Sequence, residues 1–138
     1  MTIKLMTRED AQLTNAPPSW QTSWTSDFLS DDRFRRYAAK VGNELVALAA
    51  YEILENALII HIVYMEAQPE SNPTLDDGQP KYTGSGRFMI AYGIKLSIDQ
   101  GFAGDVVLET KTPELAKHYE RGFRAVRLPV FHRPRPDT

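Results

Sequence analysis

Two glycines flank one serine just before the longest helical pattern of the sequence, in the segment Gly84-Ser85-Gly86. Glycine costs a helix roughly 1 kcal/mol per position relative to alanine, so its place here needs a reason. A backbone without Cβ lets an anion approach consecutive N–H groups, and the helix that follows adds unpaired amides and the positive end of its dipole. The segment therefore predicts either a plain tight turn or a cradle for a pyrophosphate, with Lys81 and Arg87 as nearby positive charges.

Two familiar phosphate-binding loops do not fit this segment. The Walker A loop needs a lysine directly after its last glycine, and Gly86 is followed by Arg87. The dinucleotide-binding fingerprint needs a third glycine or an alanine at position 89, where this chain has methionine. The spacing alone therefore assigns the segment to neither of these families.

The elements around the glycines predict one mixed α/β domain. "TIKLM" reads as an edge strand, and "FRRYAAKVGNELVALAAYEIL" as two strands joined by a turn at Gly42-Asn43. "ALIIHIVYMEA" is apolar nearly throughout, which is typical of a central buried strand. "SGRFMIAYGIKLSIDQ" reads as a buried helix, and "DVVLET" as a strand, followed by the helix "TPELAKHYERGF". Antiparallel strands thus come first and a β-α-β unit second, around a single sheet.

Bulk properties exclude several classes of protein. The chain has 138 residues, a formal net charge of −2 and no cysteine, which fits one domain without disulfides, thiolate chemistry or a cysteine-based metal site. The three histidines show no metal-ligand spacing, so we expect no metal. No segment has the apolar length of a signal peptide or a membrane span, so we expect the protein in the cytoplasm and away from membranes.

The ordered set of elements resembles the GNAT superfamily of N-acetyltransferases. Lys81-x-x-Gly84-x-Gly86 is similar to the Gln/Arg-x-x-Gly-x-Gly/Ala motif of that superfamily, and the strand before it ends in "MEAQP". The "VVLET" strand and the helix with "HYERGF" follow in the expected order. The resemblance covers residues 44–126 and implies a GNAT-like fold for residues 1–138, with a mostly antiparallel mixed sheet flanked by helices.

This chain departs from the pattern of that superfamily at three places. Lys81 replaces the usual Gln or Arg, and the loop before the glycines is longer than the common version by about ten residues. Tyr119 precedes Gly122 by three residues, where the usual spacing is four. The longer loop should reshape the acceptor side, and the altered spacing changes where Tyr119 lies.

The resemblance implies acetyl-CoA as the acetyl donor and a primary amine as the acceptor. The cofactor-binding residues that it implies form two groups. The pyrophosphate would bind the backbone around the glycines, at Lys81, Tyr82, Thr83, Gly84, Ser85, Gly86 and Arg87. The pantetheine arm would pair with the strand backbone at Met65, Glu66 and Ala67, where one N–H would also polarise the thioester carbonyl.

Three side chains are candidates for the proton transfers that acetylation of an amine requires. Tyr119 could protonate the departing thiolate, and Glu66 or His61 could accept the proton of the amine. Each also has a purely structural interpretation. Tyr119 could be a packing aromatic, Glu66 a solvated carboxylate at a strand end, and His61 a core histidine whose hydrogen bonds are satisfied. In a regular strand His61 and Glu66 face opposite sides, so without a bulge they would not share one role.

The sequence says less about the acceptor and the partners than about the acetyl donor. The loop from Gln68 to Pro80 carries Glu70, Asp76 and Asp77 without a basic residue, which favours a cationic amine on a small molecule or peptide. The net negative charge argues against nucleic acid, although the basic C-terminal third keeps an acyltransferase of charged tRNA as an alternative. A second alternative is a CoA-binding module without catalysis that acts in regulation. Dimers are common in the superfamily, so a homodimer stays open.

Overall fold

The computed structural model describes residues 1–26, 31–69 and 84–108. The strands are β1 (Thr2–Leu5), β2 (Phe34–Val41), β3 (Glu44–Leu54), β4 (Ile59–Ala67) and β5 (Val106–Leu108), and the helices are α1 (Arg8–Leu13) and α2 (Ser85–Asp99). The strands form one sheet in the order β1-β2-β3-β4-β5. All neighbours are antiparallel except β4 and β5, which are parallel and joined through α2. The predicted mixed, mostly antiparallel sheet is confirmed.

Each face of the sheet has its own apolar cluster. The side chains buried against α2 include Ala47, Ala49, Tyr51, Ile60, Ile62, Met89, Ile90 and Leu96. The opposite face buries Trp24 with Ala11, Phe34, Ala38, Leu45, Leu48 and Ala50. We call these the α2 face and the Trp24 face. Two covered faces explain why β3 reads as an almost continuous apolar run, since alternate residues enter different clusters.

Helix α2 contacts the sheet at a glycine, Gly93, where a side chain would have little room. A Cβ added at Gly93 would lie 3.2 Å from Cε1 of Tyr51 and 3.3 Å from Cδ1 of Ile62. The Tyr51 hydroxyl also donates a 2.7 Å hydrogen bond to the carbonyl oxygen of Met89 within the helix. Burial raises the pKa of the Tyr51 phenol, so the hydroxyl stays a donor over the physiological range. These contacts fix α2, and therefore its N-terminus, against β3 and β4.

Strand β4 contains a bulge at Val63. Ala50 pairs with Tyr64 and the next residue, Tyr51, pairs with Ile62, so Val63 has no partner of its own on β3. Val63 and Tyr64 both pack toward the Trp24 face as a result. The alternation of side chains therefore shifts by one residue at this point of the strand.

A short helix that the sequence reading did not predict covers part of the Trp24 face. Helix α1 begins with a capping box, in which Asp10 N donates to Thr7 Oγ1 at 3.1 Å and Thr7 N donates to Asp10 Oδ2 at 3.0 Å. The same carboxylate receives Lys40 Nζ from β2 at 2.8 Å. The pattern Thr-x-x-Asp was a recognisable start signal for this helix. Asp10 thus caps the first turn of α1 and also links the helix to β2 of the sheet.

We expect Asp10→Asn to destabilise the protein at neutral pH by about 1.5–3 kcal/mol, since it weakens hydrogen bonds to a buried charged group. Burial raises the pKa of Asp10, but the bonds from Lys40 and Thr7 outweigh burial and leave the pKa below its ordinary value of 3.8. The carboxylate therefore stabilises the fold above the unfolded-state pKa, and this contribution is lost as pH falls through the lower folded-state pKa. Urea unfolding of both proteins from pH 7 to pH 2 measures the difference, which should shrink in acid.

The matched control is Asp99→Asn, which removes the exposed pair between Lys95 Nζ and Asp99 Oδ2 at 2.7 Å within α2. Exposed pairs of this spacing contribute only about 0.3–0.5 kcal/mol. Equal losses in the two variants would contradict the role given to Asp10.

The prediction that α2 is a buried helix was only partly right. Met89, Ile90, Gly93 and Leu96 are buried, as expected for the side that meets the sheet, whereas Ile98 is 59% exposed. The reason is that the described sheet covers one side of the helix only. No helix within the described residues is long and apolar enough to span a membrane.

Candidate active site

The N-terminus of α2 has the backbone geometry that an anion cradle requires. Gly84 occupies the N-cap position with φ +82°, in the left-handed region that favours glycine. Because Gly84 has no side chain, it supplies no side-chain cap to the first turn of α2. Among the described residues, none has an atom within 4 Å of a Cβ built on Gly84. Ser85 is buried and Arg87 exposed at the start of the helix.

The described residues of β5 pair with β4 just before the bulge. Their parallel pairing runs from Ile60 with Val106 to Ile62 with Leu108. Beyond Ile62, β4 continues through Val63 to Ala67 while remaining paired with β3. The chain then leads toward α2, whose N-terminus lies at the same end of the sheet because β4 and β5 are parallel and α2 runs back between them. The end of β4 and the start of α2 therefore form one candidate site.

The carboxylate of Glu66 is engaged by the segment before β2. It is 5% exposed and accepts hydrogen bonds from the backbone N–H groups of Gln21 at 2.5 Å and Thr22 at 3.3 Å. It also accepts the indole N–H of Trp24 at 3.1 Å. Thr22 Oγ1 in turn donates to the hydroxyl of Tyr64 at 2.8 Å. Glu66 therefore joins residues 21–24 to the middle of the sheet.

We expect Glu66→Gln to lower the free energy of unfolding by about 1–3 kcal/mol, because a side-chain NH₂ would face N–H donors and leave at least one of them unsatisfied. Chemical denaturation measures this loss. Glu55→Gln, in the exposed 3₁₀ turn between β3 and β4, is the matched control and should change stability little. Unchanged stability of Glu66→Gln would show that these hydrogen bonds contribute nothing to folding.

His61 lies on the Trp24 face beside a carboxylate. Its Nδ1 is 3.4 Å from Oε1 of Glu52, the residue opposite it on β3. The two side chains are 27% and 20% exposed, so both reach solvent. A histidine and a carboxylate in this arrangement can accept a proton and orient the ring that accepts it.

In a regular strand His61 and Glu66 would face opposite sides of the sheet, and the bulge changes this. His61 pairs with Glu52 and Glu66 pairs with Leu48, and these partners are four residues apart on β3. The two candidates therefore face the same side of the sheet, not opposite sides. Four residues of strand span about 13 Å, so the structure does not bring their functional groups together.

Gln68, which the sequence reading did not single out, follows Glu66 on the Trp24 face. It is 4% exposed, and its backbone N–H donates to the carbonyl oxygen of Val46 at 2.7 Å. Its side-chain Nε2 has no hydrogen-bond partner within the described part of the chain. Leaving a buried amide unpaired costs about 1–3 kcal/mol. No local sequence signal distinguishes this glutamine, because its burial depends on how distant elements pack.

A cavity of about 480 Å³ opens beside Trp24 on the same face. Arg8 of α1 and Arg36 of β2 lie in its wall, together with the 1%-exposed Trp24 ring. Trp24 therefore has one edge on the cavity while its indole N–H binds Glu66. The ring is therefore both a core residue and part of the cavity wall.

Several predicted site residues lie outside the described residues: Tyr119, Lys81, Tyr82 and Thr83, as well as the acidic residues Glu70, Asp76 and Asp77. Their roles stay predictions. Met65 is described, and it packs against the cluster on the α2 face. Within residues 1–26, 31–69 and 84–108 no group of three His, Cys, Asp or Glu side chains could hold a metal ion.

Solved structures share this fold at low sequence identity. The ribosomal-protein-S18-alanine N-acetyltransferase from Escherichia coli matches with a TM-score of 0.64 and 14% identity, over 88% of this chain and 76% of that chain. A transcriptional regulator from Bacillus halodurans C-125 matches with a TM-score of 0.63 and 16% identity, over 96% and 98%. The aminoglycoside N-acetyltransferase AAC(6')-Iy in complex with CoA matches with a TM-score of 0.55 and 14% identity, over 97% and 99%.

No protein-family model and no curated protein matches this chain. The structural likeness nevertheless defines the class of fold: the chain has the α/β fold of the GNAT N-acetyltransferases. The resemblance noted in the sequence is confirmed at the level of the fold.

Proposed function

We propose that this protein is an acetyl-CoA-dependent N-acetyltransferase that acts as a single domain of residues 1–138. The observation that carries the proposal is the left-handed glycine, Gly84, at the N-cap of α2, which begins at the end of the sheet where the bulged strand β4 ends. A pantetheine arm fits along Met65 to Ala67 as an added strand, and a pyrophosphate fits the first-turn amides of α2. The structures similar to this chain include an N-acetyltransferase in complex with CoA, which supports the same ligand.

The reaction is direct transfer of the acetyl group to a primary amine. The amine nitrogen attacks the thioester carbonyl, the new C–N bond replaces the C–S bond, and the proton of the amine must leave before or during attack. An N–H group among residues 65–67 polarises the carbonyl. Tyr119 returns a proton to the thiolate, as the "HYERGF" resemblance implies. The products are free CoA and an N-acetyl amine.

His61 is the better proposal for the residue that accepts the proton of the amine. Its side chain reaches solvent on the Trp24 face and has Glu52 beside it. Glu66, in contrast, is buried and accepts three N–H donors, so its hydrogen bonds favour a structural role. Because the thioester would lie at residues 65–67, a chain of water molecules would connect His61 with the amine.

The acceptor is a small-molecule or peptide amine. One of the structures with this fold is an aminoglycoside N-acetyltransferase, and another acts on a ribosomal-protein alanine according to its name. The acidic residues of the loop that follows β4 support a cationic acceptor.

The second candidate is a CoA-binding regulatory module without catalysis. It is favoured by the engagement of Glu66 in structural hydrogen bonds and by the similarity to a protein named as a transcriptional regulator. Release of free CoA thiol from acetyl-CoA, measured with a panel of aminoglycosides, polyamines and N-terminal peptides, separates the two. Binding of acetyl-CoA with no amine-dependent release of thiol would select the module.

A further inference from the structure

The cavity beside Trp24 lies on the face of the sheet opposite to α2. Its volume of about 480 Å³ is within the range of roughly 300–1,000 Å³ that is typical of small-molecule sites. The described part of its wall combines the apolar side chains of Met6, Ala11 and Trp24 with Arg8 of α1 and Arg36 of β2. The size and the mixed wall fit a small organic molecule that has both an apolar and a charged part.

The charged wall residues that the structure describes are both arginines, although the whole chain carries a formal net charge of −2. Carboxylates of the neighbouring segments are engaged by other cations. Asp10 of α1 binds Lys40 Nζ at 2.8 Å, and the carboxylate of Asp31 binds Arg33 Nη2 at 2.9 Å. Glu9 is exposed on α1 and is not among the described wall residues. The described wall is therefore electropositive, which favours an anion.

The two arginines differ in how firmly the fold holds them. Arg36 is partly buried on β2, and its Nη1 donates to the carbonyl oxygen of Asp31 at 3.2 Å. A bond to a carbonyl oxygen orients a guanidinium without neutralising its charge. Arg8 is exposed at the first position of α1. The backbone amides of that short helix take no part in the site, since Thr7 and Asp10 already form its capping box.

We propose that this cavity binds a small organic anion, with its carboxylate or phosphate group on Arg8 and Arg36 and its apolar body against Met6 and Trp24. The site is separate from the proposed acetyl-CoA site and does not depend on it. Guanidinium groups form bidentate, charge-assisted hydrogen bonds with both kinds of anion. The indole N–H of Trp24 binds Glu66, so the ring is already positioned for contact with the ligand.

Calorimetric titration of the full chain with phenyl phosphate, benzoate and neutral benzyl alcohol tests the proposal. We expect at least one of the two anions to bind, and benzyl alcohol to bind more weakly. Arg8→Gln and Arg36→Gln should each raise the dissociation constant of that anion by about tenfold. Arg33→Gln is the matched control, because it removes the same charge from an exposed arginine that is not among the described wall residues. It should leave the dissociation constant unchanged.

Fluorescence places the bound anion. The chain has two tryptophans, so Trp20→Phe leaves Trp24 as the only one, and its emission should change when the anion binds. Excess adenosine 3′,5′-bisphosphate, which carries the phosphates of a CoA-like ligand without pantetheine, should not displace the anion.

Four results would overturn the proposal. They are no binding of either anion by the parent, an equal loss of affinity in Arg33→Gln, unchanged Trp24 emission at saturation, and displacement by adenosine 3′,5′-bisphosphate. Should Arg36→Gln fold poorly, Arg8→Gln carries the test, since its position is exposed. Unchanged affinity in folded Arg8→Gln would then count against the site.

Discussion

Replacing His61 by alanine is expected to lower the rate of acetyl transfer to a verified amine by about 10²–10⁴-fold, the usual effect of losing one proton-transfer group. The physical reason is the position of the imidazole, which reaches solvent on the Trp24 face with Nδ1 3.4 Å from Oε1 of Glu52. The binding of acetyl-CoA should change little, because His61 lies on the paired part of β4 before the bulge. Steady-state kinetics and calorimetry of CoA binding measure the two effects separately.

Two further variants test the role of the neighbouring carboxylates. Glu52→Gln should lower kcat by less than His61→Ala and leave KM for the amine unchanged, because Glu52 acts through the orientation of the ring. Glu66→Gln should lower stability more than turnover at a temperature where it is folded. If Glu66→Gln abolishes turnover in fully folded protein while His61→Ala leaves it intact, the assignment of the base is reversed.

Gly84→Asp is expected to remove the stabilisation that acetyl-CoA gives the protein. Ligand at a hundred times its dissociation constant should add about 2.7 kcal/mol to the parent. Aspartate at this N-cap would place a carboxylate where the pyrophosphate approaches the first-turn amides, and its own oxygen would cap them. Thermal unfolding with and without acetyl-CoA shows whether the gain is lost.

A second glycine of the same helix supplies the control for backbone strain. Gly101 follows the C-terminal end of α2 and has the same φ of +82°, and a Cβ there also meets nothing within 4 Å. Gly101→Asp therefore imposes a comparable backbone cost at the end of the helix far from the cradle. It should retain the stabilisation by acetyl-CoA. Equal stabilisation of the parent and Gly84→Asp would contradict the cradle.

Much of the framework follows from local sequence. The hairpin β2–β3 turns at Gly42 with φ +61°, as the Gly-Asn pair predicts. Helix α2 starts at Ser85 after Gly84 and ends before Gly101, within one residue of the predicted bounds, because glycine is favoured where φ is positive. The order of the strands and the β-α-β unit are then compatible with few sheet topologies, and one of these is the single mixed sheet that the structure has.

The sequence by itself therefore determined the class of fold and the position of the glycines at the start of α2, since both depend on residues close together in the chain. Only the tertiary structure decided which polar groups meet. The bulge at Val63 arises from the pairing of β3 with β4, and it moves Glu66 to the face that holds His61. The burial of Glu66 under residues 21–24, the pairing of His61 with Glu52 and the unpaired amide of Gln68 all depend on contacts between distant segments. Strand periodicity carries no information on such contacts, because one inserted residue reverses every side chain that follows it.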